Sequence, residues 1–320
     1  MAMKVGLVGT GGMANRHLEY LSKIKEVEIT SLCDIKRERV EAASKKYGGK
    51  IYTDYEKMLK EEKLDALYIC LPPFTHENVE ILAAEKGIHL FIEKPIGLSL
   101  EKAKEKESSI RKNKIITSVG YQRRYQESTN KIQSLLKENE PGIFRGYWMG
   151  WMPGINWWKR KEMSGGQTVE QSTHIFDLAR FFFGEVEKIF AAERKGLMRE
   201  VENYNVEDAS TVTLLFENGL IGTIHSACFL SCGKEVGMSI YFKDMIVKYN
   251  ENLEIIRSKE TRKISFSDDP GLLEDQIFIE AARTKDTSKI KSTYSDALKT
   301  LALTLAVNES IETGKVINMK

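Results

Sequence analysis

The chain has 320 residues, with 48 Lys plus Arg against 46 Asp plus Glu and a formal net charge of +2. Its 42% hydrophobic and 29% charged residues exclude a disordered chain, and its near-neutral charge argues against a nucleic-acid partner. Four cysteines are too few for a disulfide scaffold, and no apolar run approaches the ~18 residues of a membrane helix.

Residues 4–8 read as a strand and 13–25 as a helix. The apolar start is short, runs into glycines and shows no signal-peptide cleavage site, so it is expected to be the first strand. Residues 28–33 form a second strand, and 37–47 a helix stopped by Gly48 and Gly49. Residues 66–71 are apolar throughout, as in a strand buried on both faces. A helix is predicted over 75–86, with Thr75 as cap and Gly87 as stop. Residues 88–92 and 115–119 read as strands, and 100–113 as a helix with a charged, solvated face at 101–107. This alternation predicts a doubly wound parallel sheet over residues 1–120. Cys33 and Cys70 end strand-like runs and read as buried thiols, which fits a reducing, cytoplasmic setting.

After Gly120 the texture changes. Residues 143–152 are aromatic-rich and strand-like, and 167–183 read as one helix. From about 186 antiparallel strands are predicted, with tight turns at Asn218-Gly219 and Lys243-Asp244. Helices follow over 272–284 and 294–313, the last closed by Gly314. Residues 121–320 are therefore predicted as an α+β domain on a large, open, mostly antiparallel sheet.

Four stretches carry chemistry. Gly9-Thr10-Gly11-Gly12-Met13-Ala14 lies between a strand and a helix, the context a dinucleotide fingerprint requires. Gly9 permits a tight turn, Gly11 lets backbone approach a pyrophosphate, and Ala14 lets helix and strand pack. Asp34, 20 residues past Ala14, sits where a carboxylate takes ribose hydroxyls. It favours NAD, because a 2′-phosphate would meet a like charge. Lys36 and Arg37 could soften that preference, so NADP stays open, or they are solvated helix residues.

The loop Leu71-Pro72-Pro73 ends a buried strand and is expected beside the cofactor. His76 just beyond reads equally as a ribose contact or as a helix-start residue. Glu93-Lys94-Pro95 ends the next strand on the same edge. Lys94 would reach the nicotinamide region, with Glu93 orienting it. In the segment 164–177, two glycines open the helix. Glu170 and His174 stand four apart on one predicted face, with Asp177 three further on. That pair can share acid–base work on a hydroxyl, or make a structural hydrogen bond. A lone histidine there, and the poor spacing of His225, Cys228 and Cys232, predict no metal.

These stretches together resemble the Gfo/Idh/MocA oxidoreductases, the glucose–fructose oxidoreductase and inositol dehydrogenase family. The likeness rests on GLVGTGGMA, FIEKPIGLSLEKA and GGQTVEQSTHIFDLARFFFGEV. It implies a Rossmann domain followed by a substrate-binding domain whose exposed sheet face makes a homodimer or homotetramer. It implies that Lys94 contacts substrate and cofactor, and that His174 is the acid–base residue. Glu170 stands where inositol-type members carry Asp, and Gln171-Ser172 replaces a hydrophobic–Gly pair. Residues 120–125 match the interdomain strand, so Tyr121 and Arg124 would line the cleft. Trp157 and Trp158 match an aromatic segment whose rings could stack on a sugar-like ring or simply pack. The implied reaction is hydride transfer between nicotinamide and a carbinol carbon of a sugar, polyol or inositol. A redox-neutral, glycosidase-type use of NAD and a non-catalytic NAD sensor are the competing readings. No nucleic-acid or membrane partner is expected.

Overall fold

The computed structural model describes residues 2–250 and 252–319. The chain forms two compact units, one of Met1–Tyr125 with Asp269–Leu298 and one of Gln126–Asp268 with Lys299–Lys320.

The first unit holds β1 (Met3–Val8), β2 (Val27–Cys33), β3 (Lys50–Tyr52), β4 (Ala66–Ile69), β5 (His89–Ile92) and β6 (Thr117–Val119). All pair in parallel, in the order β3-β2-β1-β4-β5-β6. The chain winds outward from β1 in both directions, so the β1/β4 boundary is the switch point where such sheets bind ligands. The linking helices are α1 (Gly12–Leu21), α2 (Arg37–Tyr47), α3 (Tyr55–Glu61), α4 (Val79–Glu85) and α5 (Leu100–Lys112). Every residue of β4 is buried, which explains its unbroken apolar run.

The second unit holds α6 (Glu127–Glu138), β7 (Ile143–Met149), α7 (Lys161–Ser164), α8 (Gln167–Glu170), α9 (Thr173–Phe183), β8 (Val186–Arg194), β9 (Ala209–Phe216) and β10 (Ile221–Ala227). It continues with β11 (Glu235–Tyr241), β12 (Met245–Tyr249), β13 (Leu253–Arg257) and β14 (Thr261–Ile264). With β15 (Ile317–Asn318) these make a nine-stranded sheet, β14-β13-β12-β11-β7-β10-β9-β8-β15, antiparallel except where β7 meets β10. One face carries the core, where Phe144, Val212, Leu214 and Ile224 pack with Ile175, Phe176 and Phe183 of α9. The other face is open, with Ile143, Phe190 and Ile221 exposed at 43%, 46% and 47%. Cross-strand pairing places Ile143 opposite Ile221, so both point the same way.

Two helices remain, α10 (Pro270–Thr284) and α11 (Tyr294–Thr313). The boundary predicted near residue 120 leaves α10 in the second domain. In the structure its Phe278, Ile279 and Ala282 join the first unit's core beside Leu7, Leu18, Tyr68 and Phe91. Periodicity shows that α10 has an apolar face, but not which core receives it.

Two helices differ from expectation. The predicted helix 75–86 is a short 3-10 turn, Pro73–Thr75, followed by α4. Thr75 caps nothing there; its hydroxyl donates back to Pro72 O at 2.8 Å. The predicted helix 167–183 is broken at Gln171-Ser172 into α8 and α9. Cys33 is buried as expected, whereas Cys70 is half-buried. Among the described residues no helix is long and apolar enough to cross a membrane.

Candidate active site

In the first unit the carboxyl ends of β2, β1, β4 and β5 lie side by side, because the strands are parallel neighbours. That edge collects Asp34, the glycine turn, the Leu71–Pro73 loop and Glu93-Lys94.

The turn is built from backbone. Gly9 has φ +88°, and a Cβ there would come 2.3 Å from Cys70 O. Only glycine fits both the conformation and the space. At Gly11 and Gly12 an added Cβ would meet nothing within 4 Å, so the turn has an open side. No side chain caps the start of α1, which leaves its first N–H groups to an anion. Ala14 is fully buried against the sheet, and Met13 is exposed. The Asn15 amide donates to Thr10 O and Gly11 O, each at 2.9 Å, and closes the turn. Asn15 stands outside the motifs read from the sequence, although an amide four residues past Gly11 is a usable signal.

Asp34 lies just past β2 and is buried. The N–H and hydroxyl of Thr10 donate to its Oδ2 at 2.8 and 2.9 Å, and Lys36 N–H donates to Oδ1 at 2.9 Å. A carboxylate offers about four acceptor sites, so capacity remains on Oδ1 for a hydroxyl. Lys36 and Arg37 are exposed, and Arg37 pairs with Glu41 along α2 at 2.8 Å. Ile35 is 86% exposed and offers an apolar surface beside Asp34, a feature sequence reasoning missed. The uncapped helix start, the open side at Gly11 and Gly12, and the spare acceptor on Asp34 together fit a dinucleotide.

Pro72 is extended and Pro73 opens the 3-10 turn, so the Leu71–Pro73 loop is stiff. His76 is buried, with Nε2 3.0 Å from Leu71 O and Nδ1 2.9 Å from Glu80 Oε1. Its ring nitrogens are spent inside the unit, holding that loop. The buried Lys106 ammonium completes the cluster, 3.0 Å from Glu80 Oε2 and donating to His76 O.

Glu93 is buried and accepts the Lys94 N–H on Oε2 at 3.1 Å. It thus holds the main chain at Lys94, and Lys94-Pro95 is a cis peptide. Tyr121 and Arg124 are also buried. Arg124 donates to Lys291 O at 2.5 Å and pairs with Asp296 at 2.6 Å, so its guanidinium ties the two chain segments of the first unit together.

In the second unit His174 lies in the first turn of α9, nearly buried. Its ring stacks on Trp148 of β7, with centroids 5.9 Å apart and planes 14° apart. The Lys234 ammonium also lies over Trp148, 5.0 Å from its centroid. Glu170 ends α8, and the buried Trp158 indole N–H donates to its Oε2 at 2.8 Å. Trp157 is half-buried beside Trp158, Val206 and Cys228. Asp177 is buried and accepts from Thr300 Oγ1 at 3.0 Å, in a chain that reaches Arg180.

The helix break places Glu170 and His174 on separate elements, so they do not share a helical face as predicted. Side-chain bonds to β10 accompany the break: Gln167 donates to Ala227 O at 2.8 Å, and the Ser172 and Ser226 hydroxyls lie 2.6 Å apart. Gly166, at φ +88°, has room for no Cβ, because the buried Glu207 carboxylate lies 2.7 Å from where it would sit. Among the described residues no three His, Cys, Asp or Glu side chains gather as a metal-binding group.

Residues 3–121 match the GFO/IDH/MocA oxidoreductase family, NAD-binding Rossmann fold, and residues 139–247 match the GFO/IDH/MocA C-terminal domain. The chain is 28% identical over 228 residues to an uncharacterized oxidoreductase of Bacillus subtilis, which covers 69% of this chain and 66% of that protein. It is 26% identical over 230 residues to a myo-inositol 2-dehydrogenase of Thermotoga maritima, covering 70% and 68%. The chain thus spans about two thirds of the length of these curated relatives. Its fold superposes on the crystal structure of a myo-inositol 2-dehydrogenase from Lactobacillus plantarum with a TM-score of 0.87, at 21% identity and over 100% of both chains. With a nucleotide turn of the right build in one unit and a family match that spans both, the chain belongs to the GFO/IDH/MocA family of NAD-binding oxidoreductases.

Proposed function

We propose that this NAD-binding oxidoreductase oxidises a secondary alcohol of a cyclic polyol or sugar, with NAD preferred over NADP. The reading rests above all on the Gly9–Ala14 turn, open at Gly11 and Gly12, with Asp34 fixed beside it. Gly9, Thr10, Gly11, Gly12, Met13 and Ala14 hold the pyrophosphate, and Asp34 takes a ribose hydroxyl. Lys36 and Arg37 face solvent there and leave the carboxylate in charge of the 2′ position. When bound, the nicotinamide supplies hydride acceptance, which no side chain of the protein provides.

The remaining work falls to side chains. His174 takes the alcohol proton at a ring nitrogen, since an imidazole ordinarily titrates near neutrality. Trp148 keeps that ring in one plane. The Lys94 ammonium steadies the developing alkoxide. Glu170, steered by the Trp158 N–H, accepts a second substrate hydroxyl, and Trp157 offers an aromatic face. Polyol chemistry draws support from the myo-inositol 2-dehydrogenase relative.

The same reading has the enzyme cytoplasmic, in keeping with four free cysteines, and homo-oligomeric through the open sheet face that carries Ile143, Phe190 and Ile221. Light scattering on the purified protein tests the assembly, and a monomer at micromolar concentration would reject it. The activity is tested by following reduced-nicotinamide absorbance with NAD or NADP against inositols, hexoses and glucosides. At least one substrate should give NADH. Protein that binds NAD yet reduces none of it with any of them would overturn the reading.

A further inference from the structure

The first unit contains a buried charge cluster that the nucleotide turn does not explain. His17, on the inner face of α1, is almost fully buried. Its Nδ1 lies 2.9 Å from both carboxylate oxygens of Asp275 on α10, and its Nε2 lies 3.0 Å from Glu93 Oε1. Tyr68 and Phe91 flank the ring, with centroids 5.4 and 4.8 Å away, and Phe278 packs on both of them. Asp275 and Glu93 are themselves buried.

A neutral imidazole donates from one nitrogen only. Here that would leave the other lone pair aimed at a carboxylate in a water-poor site, at high electrostatic cost. The doubly protonated ring satisfies both sides. We propose that His17 is a permanently charged positioning residue: its imidazolium clamps Glu93 against α10 and so fixes the main chain from which Lys94 projects. The proposal rests on Lys94 acting at the reacting centre, as above.

The surroundings agree. Glu93 uses its second oxygen to accept the Lys94 N–H at 3.1 Å, so a shift of the carboxylate moves that peptide directly. A Cβ at Gly120 would come 2.9 Å from Glu93 Cδ, so glycine there keeps the carboxylate's space clear. The titratable groups around the ring are Glu93 at the end of β5, Asp275 and Glu274 on α10, Tyr68 on β4, Cys70 just beyond it, and Arg16 on α1. Burial alone would lower the imidazole's pKa, but Asp275 and Glu93 outweigh it and carry it well above the ordinary value. Burial pushes the Glu274 carboxyl well above its ordinary value, with Asp275 and Glu93 adding to the rise. Burial also draws Asp275 upward, against the pull of His17. The proton shared among them belongs on the ring, where two carboxylates meet it.

Ring-nitrogen NMR of the histidine-labelled enzyme tests the charge without reference to activity. One ring should keep both nitrogens protonated well above the pH at which an ordinary imidazole loses its charge, and that signal should be missing from His17→Gln. A His17 ring that loses its charge in the ordinary imidazole range would overturn the proposal. Kinetics test the positioning. His17→Gln should lower kcat ~10-fold while the Kd for NAD stays within about twofold, and in a Lys94→Ala background it should cost less than about twofold. Equal losses in both backgrounds would show that His17 does not act through Lys94, and would overturn it. Full kcat in Lys94→Ala itself would remove the reading of Lys94 and the positioning claim with it, while the ring-nitrogen result judges the charge separately. If His17→Gln does not fold, Asp275→Asn keeps the shape and removes one carboxylate. Its His17 ring should then lose the proton at a lower pH than in the parent enzyme, and a ring titrating as in the parent would overturn the clamp.

Discussion

The nucleotide turn of the first unit and the His174 region of the second are made of different material. The turn is backbone: Gly9 fills a space that admits no Cβ, and the helix start presents its own N–H groups. The His174 region is side chain: an imidazole stacked on Trp148, a carboxylate gripped by Trp158, and a helix interrupted between them. A backbone site tolerates change in the side chains around it but not in its glycines. A side-chain site can keep its fold and lose its chemistry one substitution at a time.

That contrast is open to attack at several strengths. The largest expected effect is on turnover: Lys94→Ala and His174→Ala should each cut kcat by ~10²-fold or more while NAD still binds. Near-normal turnover in both would remove the division of labour. Next comes Gly9→Ala, which forces a Cβ against Cys70 O at a positive φ. It should destabilise the fold by on the order of 2 kcal/mol, seen as a lower Tm, and weaken NAD binding. An unchanged Tm would mean that the turn is softer than its geometry. Asp34→Asn should raise the Kd for NAD ~10-fold and narrow the preference over NADP, by calorimetric titration. Trp158→Phe deletes one hydrogen bond to Glu170, worth about 1 kcal/mol. It should raise KM severalfold with NAD affinity untouched; a loss of NAD binding instead would join the two regions that the contrast separates.

The smallest effect concerns acid. Arg180 grips Glu185 through two 2.9 Å bonds, which lower the carboxyl from 4.5 to about 2. A depressed carboxyl stabilises the fold above its unfolded pKa, and that stability is lost as pH falls from about 4.5 through about 2. The carboxylate is 41% exposed, so solvent screening keeps the effect modest. Glu185→Gln should flatten the fall in Tm over that range, and an equally steep fall would deny the pair its role.

What was legible in the sequence follows the same division. Gly9 to Ala14 and Asp34 were readable, because a turn with special backbone needs leaves glycines at fixed spacing after a strand. The Glu170–His174 geometry was not, because the break between them goes with bonds from Gln167 and Ser172 to a strand more than fifty residues away. The strand β3 and helix α3 went unread as well. β3 has only three residues, and α3, capped by Asp54, is short and charged. The partnership of His17 with Asp275, 258 residues apart, leaves no local trace at all. In sequence His76 reads equally as a ribose contact or a helix-start residue and Arg124 as a cleft residue, and their internal partners emerge only once the loop and the returning segment are placed.

The discontinuity of the first unit bears on how the protein is made. When residue 125 leaves the ribosome, Tyr68 and Phe91 still lack Phe278, and His17 has no Asp275. At ~5–20 residues per second, α10 follows on the order of ten seconds later. Until then the nascent nucleotide unit carries an uncovered aromatic patch beside a half-neutralised acid–base cluster. A chaperone that shelters this patch during translation should raise the yield of active enzyme more than one added after release.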